Sequence, residues 1–209
     1  MAVGTPLVVN IPTALAGLYA YNKQGFVDYK LVPFLALPGI VGAIAGSYGT
    51  RFVNGSIILL ITAGVIFILG LRVPFNYRND AGEREVKHLY LLIFGFLIGL
   101  FSGFLGLGGG FLLVPFLTLF IRKDVKSAFG TSLAVIAAIT IPAAVVHFYL
   151  GHVDLRLAGL LILGAVPGAF LGSRVAVRLS NRLLRVAFSL LLLVLAGYLG
   201  YNELVRLVS

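Results

Sequence analysis

The sequence predicts an all-α, polytopic helical membrane protein built from two inverted repeats with a glycine-broken short helix. Three observations predict it. Hydrophobic residues make up 60% of the 209-residue chain and charged residues 11%, where a soluble domain is about one-quarter charged; the mean hydropathy is +1.06. The apolar residues fall in continuous runs without two-residue alternation, which favours helices over a transmembrane barrel. Finally, Ala2 to Ser47 reads again from Ala128 to Ser173 at a constant offset of 126. Gly4-Thr5 falls on Gly130-Thr131, Gly25 on Gly151, Val27-Asp28 on Val153-Asp154, and Gly46-Ser47 on Gly172-Ser173. Duplicated apolar units are the architecture of secondary transporters.

Charged or Gly/Asn punctuation divides the chain into eight apolar segments: Ala2 to Tyr21, Leu31 to Tyr48, Ser56 to Leu71, His88 to Leu105, Gly110 to Ile121, Ala128 to Tyr149, Leu157 to Val177 and Leu183 to Tyr201. At about 20 residues per crossing, no length is left for a soluble catalytic domain. The fifth segment rises only about 18 Å as a helix, too little for about 30 Å of hydrocarbon, so it is a short tilted span or one arm of a re-entrant hairpin. The polar linker 74–87 (PFNYRNDAGEREVK) separates a first repeat, 1–73, from a second, 88–209.

Charge distribution decides between these topologies. If His88 to Leu105 and the short segment both cross, Lys23, Lys30, Arg72, Arg78, Arg84, Lys87, Arg122, Lys123, Lys126, Arg174, Arg178, Arg182 and Arg185 share one face, against Arg51, Arg156 and Arg206. That split is 13 to 3; a single crossing by the pair gives 8 to 8. The positive-inside rule selects the first, places linker 74–87 in the cytoplasm and inverts the second repeat relative to the first. The net charge of +9 is therefore an orientation signal and not a nucleic-acid surface. Cysteine is absent, which excludes disulfides and thiolate metal sites; no cofactor is expected. The N-terminus shows no signal-peptide pattern.

The repeats are unequal. Residues 88–127 precede the second copy, and their counterpart would precede Ala2. A truncated start is the expectation and two natively unequal halves the alternative, with lipid or a second copy of the chain, as a homodimer, covering the first half.

The densest motif runs from Gly99 through Ser102, Gly103, Gly106, Gly108, Gly109 and Gly110 to Pro115. Three consecutive glycines, each costing about 1 kcal/mol in a helix, mark a break inside the membrane. Backbone freed there is tolerated only in protein or beside a wet cavity, and the amides from Phe111 onward present the positive end of a helix dipole. An anion suits them, although the glycines could serve packing alone. The spaced sets Gly95, Gly99, Gly103 and Gly164, Gly168, Gly172 read as close helix packing.

Gly130-Thr131-Ser132 and its counterpart Gly4-Thr5-Pro6 lie at helix starts, where hydroxyls cap amides or donate to a ligand. Asp28 and Asp154 read as helix caps at the interface. No carboxylate lies inside an apolar run, so a carboxylate-coupled mechanism has no coupling residue. His147 reads foremost as an interfacial aromatic anchor; Asn10, Thr62 and Thr140 read as partners for neighbouring helices. A Ser102/His147 protease dyad is the enzymatic alternative, but Leu100-Phe101-Ser102-Gly103 lacks the Gly-x-Ser-Gly that intramembrane serine proteases need. The Gly106-x-Gly108 run lacks the strand and acidic residue of a dinucleotide site.

The glycine break, Pro115, Gly130-Thr131-Ser132, the Gly151-x-Val153-Asp154 linker and the Gly168-Ala169-x-x-Gly172 helix, in this order, resemble the TauE/SafE sulfite exporter family over nearly the whole chain. The resemblance implies a non-enzymatic multi-pass protein of the inner membrane that moves sulfite, sulfonates or related organic anions. The chain departs from the pattern where the first copy lacks the glycine-rich stretch and has Pro6 in place of Ser132. The expectation is a carrier binding a small anion through Ser102, Gly108, Gly109, Gly110, Thr131, Ser132 and Thr5; an anion channel or a membrane scaffold is the alternative.

Overall fold

The computed structural model describes residues 4–50, 55–73, 87–106 and 108–208, and the linker boundary expected at 74–87 falls almost wholly outside them. Among the described residues there are eight helices and no strand: α1 (Gly4–Lys23), α2 (Val32–Gly49), α3 (Gly55–Arg72), α4 (His88–Leu105), α5 (Gly110–Leu119), α6 (Val125–Tyr149), α7 (Leu155–Ala176) and α8 (Asn181–Val208). The eight apolar segments are these helices, with ends moved by a few residues. α6 begins earlier than Ala128 because Asp124 caps it, accepting a hydrogen bond from the Lys126 amide at 3.1 Å. α2, α4, α6, α7 and the 181–202 part of α8 are each long and apolar enough to cross a membrane.

α1 and α6 form the centre and run antiparallel. The Gly4 amide, opening α1, donates to His152 O beyond the end of α6 at 3.2 Å. At the other end, Tyr21 stacks on Phe129, near the start of α6, with ring centroids 6.3 Å apart. The second helices exchange partners: α2 packs on α6 and α7 packs on α1, while α3 pairs with α8. Each repeat thus completes its core with the other.

The tightest pair is α2 with α4. A Cβ on Gly42 would strike Phe96 O, one on Gly46 would strike Leu100 O, and one on Gly99 or Gly103 would strike Gly39 O or Ala43 O. Only glycine lets these backbones approach, and in lipid such close packing replaces a hydrophobic driving force between helices. The packing role expected for Gly95, Gly99 and Gly103 holds, but that expected for Gly164, Gly168 and Gly172 does not: a Cβ on any of these three meets nothing within 4 Å. Gly168 and Gly172 are the repeat counterparts of Gly42 and Gly46. No described helix lies on α7 where α4 lies on α2.

α5 returns alongside α4. Gly106 caps α4 in the left-handed conformation (φ 69°), and Gly109 opens α5 at φ 68°, a region that L side chains rarely adopt. A Cβ on Gly109 would lie 3.0 Å from Ile98 and 3.3 Å from Ser102, well back along α4, and Phe94 stacks on Phe116 at 4.0 Å. The short segment is therefore a half-length helix that ends near the face from which α4 starts. The ion pair between Lys123 Nζ and Asp28 Oδ2 at 2.5 Å puts the loop after α5 on the same face as the α1–α2 loop. Asn181 Nδ2 bonded to Asp124 Oδ1 at 2.5 Å brings the α7–α8 loop to that face too.

Candidate functional site

The glycine break lies in the middle of the helix stack. Ser102, Gly108 and Gly109 are buried, and a Cβ on Gly108 would sit 2.7 Å from Asn10 Nδ2 on α1 and 3.4 Å from Ile136 on α6. Ser102 is 1% exposed, and its hydroxyl has no hydrogen-bond partner. A buried hydroxyl left unpaired costs about 1–3 kcal/mol. Other buried hydroxyls of the bundle avoid this by bonding their own helix: Ser47 to Ala43 O, Thr118 to Val114 O and Thr140 to Ile136 O. Thr140 was expected to reach a neighbouring helix; the carbonyl four residues back is nearer and satisfies it.

α5 supplies positive potential at the same place. Leu112 N and Leu113 N both donate to Gly109 O at 3.1 and 3.2 Å, and the Gly110 and Phe111 amides are the first-turn donors that have no acceptor within α5 itself. Beside this helix start lie Ser102, next to Gly109, and the Asn10 side-chain amide, next to Gly108. Sequence reasoning gave Asn10 a helix-packing role. Its proximity to Gly108 comes from the antiparallel docking of α1, which no local pattern encodes.

Thr5 and Thr131 are not part of this cluster. Thr5 Oγ1 accepts from Asp154 N at 2.9 Å, and Thr131 Oγ1 accepts from Asp28 N at 3.0 Å. These equivalent contacts lie at opposite ends of the α1/α6 pair, about 24 Å apart by helical rise, so one small anion cannot touch both. Ser132 Oγ bonds Phe129 O at 2.8 Å. The Gly-Thr pairs are cross-repeat fasteners: glycine admits the other repeat's loop and threonine satisfies its amide. Asp154 caps α7 through the Arg156 and Leu157 amides at 2.9 and 3.0 Å, as expected. Asp28 differs, binding Lys30 N at 3.0 Å as well as Lys123. Burial alone would raise the Asp28 carboxyl, but the Lys123 hydrogen bond and charge, with the Lys30 and Leu31 amides, bring it below the usual carboxylate range.

His147 is fully buried, not an interfacial anchor. Its Nε2 lies 2.9 Å from Gly103 O and its Nδ1 lies 3.1 Å from His152 Nδ1. Because Nε2 is engaged with that carbonyl and Ser102 Oγ has no partner, the two do not form a nucleophile–base dyad. An apolar cavity of about 260 Å³ between α3, α4 and α5 touches Ile98 and Leu112 on either side of the break, but no polar residue lines it. A second, of about 410 Å³, surrounds the Asp28–Lys123 pair at the opposite end from His147.

Eight packed helices with lipid-type exposed faces, exchanged partners and a broken helix at mid-depth define a multi-pass helical membrane transporter. The chain belongs to the sulfite exporter TauE/SafE family, whose description matches residues 1–199. It is similar to a "Probable membrane transporter protein" of Xylella fastidiosa (strain 9a5c), 30% identical over all of this chain and 83% of that protein. It is also similar to the probable membrane transporter proteins YunE and YjnA of Bacillus subtilis (strain 168). YunE is 28% identical, over 88% of this chain and 72% of that protein; YjnA is 26% identical, over 93% and 82%. No solved structure matches the chain.

Proposed function

We propose that the chain is a carrier for a small sulfur-containing or organic anion such as sulfite or a sulfonate, bound where α5 begins. The observation that carries this reading is the buried, unpartnered Ser102 hydroxyl beside the α5 N-terminus. An anionic oxygen satisfies that hydroxyl and the Gly110 and Phe111 amides at once, and Asn10 Nδ2 offers a donor from the other repeat. Thr5, Thr131 and Ser132 hold the frame. Ser102, Gly108 and Gly109 are buried at the break, which favours a carrier over an open channel.

Labelled sulfite uptake into proteoliposomes tests this. Ser102→Ala removes a hydrogen bond to a charged ligand, about 1.5–3 kcal/mol, so the apparent affinity falls about 10- to 100-fold. Stability of the ligand-free protein stays level or rises, because an unpaired hydroxyl has gone. Asn10→Asp adds a repelling charge and abolishes uptake. Unchanged affinity in both variants refutes the site; flux without saturation or exchange identifies a channel instead.

A further inference from the structure

We infer that His147 and His152 together form a binding site for one proton, and that this proton is the ion coupled to anion movement. This rests on the anion site proposed above. The geometry dictates the protonation. Gly103 O can only accept, so His147 Nε2 at 2.9 Å carries its hydrogen. The two Nδ1 atoms, 3.1 Å apart, need one hydrogen between them. In the neutral pair His152 Nδ1–H therefore donates to a bare His147 Nδ1, and His152 Nε2 is the free base.

A proton added at His152 Nε2 makes His152 an imidazolium without disturbing either contact. The shared hydrogen then passes from His152 Nδ1 to His147 Nδ1, leaving His152 neutral and His147 cationic with its Nε2–H still on Gly103 O. One proton enters, one shifts and no ring turns. A second proton would oppose two N–H groups across 3.1 Å and break the pair, so the capacity is one.

The pair spans the route from loop to core. His152 lies half-buried in the α6–α7 loop and His147 is fully buried on α6. The charge delivered to His147 lies against Gly103, the residue next to Ser102, in surroundings where opposite charges attract strongly. α1 presents Gly4 to the pair, α4 presents Gly103, and Ser47 of α2 lies behind Gly103; none of these titrates in the physiological range. The charged groups on the same loop are Asp154, whose carboxylate is held by the Arg156 and Leu157 amides, and the Arg156 side chain; Tyr149, 82% exposed, points to the surroundings. The first repeat has Tyr21 and Phe26 at the equivalent positions, so the proton site exists once. A monovalent anion accompanied by one proton moves without net charge.

The chain has three histidines, so ¹⁵N-histidine spectra in nanodiscs resolve the site directly. His147 and His152 should take up one proton between them with linked shifts in both rings; His152→Ala should remove the linkage. Two independent titrations overturn the inference whatever the chain transports. In proteoliposomes, a labelled sulfonate, whose own charge is pH-independent, should accumulate against an imposed pH gradient and ignore membrane potential. His152→Ala should lose accumulation at least 10-fold and retain anion exchange. Accumulation that survives in His152→Ala refutes coupling through the pair. Absence of any anion flux refutes the proposed function and leaves the spectra to decide the proton site.

Discussion

Paired substitutions at equivalent glycines test the packing of the two repeats against each other. Gly42 on α2 and Gly168 on α7 occupy the same repeat position, yet a Cβ at Gly42 strikes Phe96 O whereas one at Gly168 meets nothing within 4 Å. Gly42→Ala must push α4 away from α2 along their whole contact. Overpacking of this kind costs about 1–3 kcal/mol, and the obstacle is backbone, which cannot rotate aside. With about 2–4 °C per kcal/mol for a chain of this size, the melting midpoint should fall about 2–12 °C. Gly168→Ala places a better helix former in an open helix face and gains up to about 1 kcal/mol, a rise of up to about 4 °C. Thermal unfolding of both purified variants, followed by tryptophan-free fluorescence size exclusion in one detergent and again in nanodiscs, reads the difference. If Gly168→Ala falls as far as Gly42→Ala, the α7 face is occupied as tightly as that of α2, and the account of one covered and one open glycine face is wrong.

Thr5→Val and Thr131→Val should each cost about 1–3 kcal/mol, because each strands the amide of an aspartate in the other repeat, while anion affinity stays unchanged; a selective loss of affinity would return them to the binding site. Asp28 has a carboxyl held below its ordinary value of 3.8, so it contributes stability that is fully present above that value and is lost as the pH falls through the lower folded value. Asp28→Asn should be less stable at neutral pH and should flatten the acid limb of the stability profile; an acid limb of unchanged depth would show that the Lys123 pair contributes nothing. Single cysteines at Gln24 and Leu155, in a chain with none of its own, should label from opposite faces, Gln24 from the cytoplasm; labelling of both from one face contradicts the antiparallel repeats.

The helices were legible because each is an uninterrupted apolar run, and the break at Gly108 to Gly110 because glycine in a membrane helix has a cost that demands a reason. The same face for Lys123 and Asp28 followed from counting charge. What could not be read was which helices touch. Gly-Thr at two helix starts gives the same local signal whether the hydroxyl meets a ligand or a loop 149 residues away, as Thr5 does with Asp154. His147 near a segment end looks interfacial until α4 is known to lie over it. Asn10 and Ser102 acquire meaning only from the antiparallel docking of α1 and the return of α5, both long-range facts. The glycines of α7 match those of α2 in spacing, and only the presence or absence of a facing helix separates them.

The exchange of second helices between repeats also fixes an order of events during synthesis. Asp28 N reaches Thr131 across 103 residues and Thr5 receives Asp154 N across 149. α1 therefore gains its main packing neighbours only when α6 and α7 have been made. Through that interval α2 and α4 can already pair while α1 waits in lipid and the insertion machinery, so the membrane's quality-control proteases meet a nascent chain whose fold closes only with its last third.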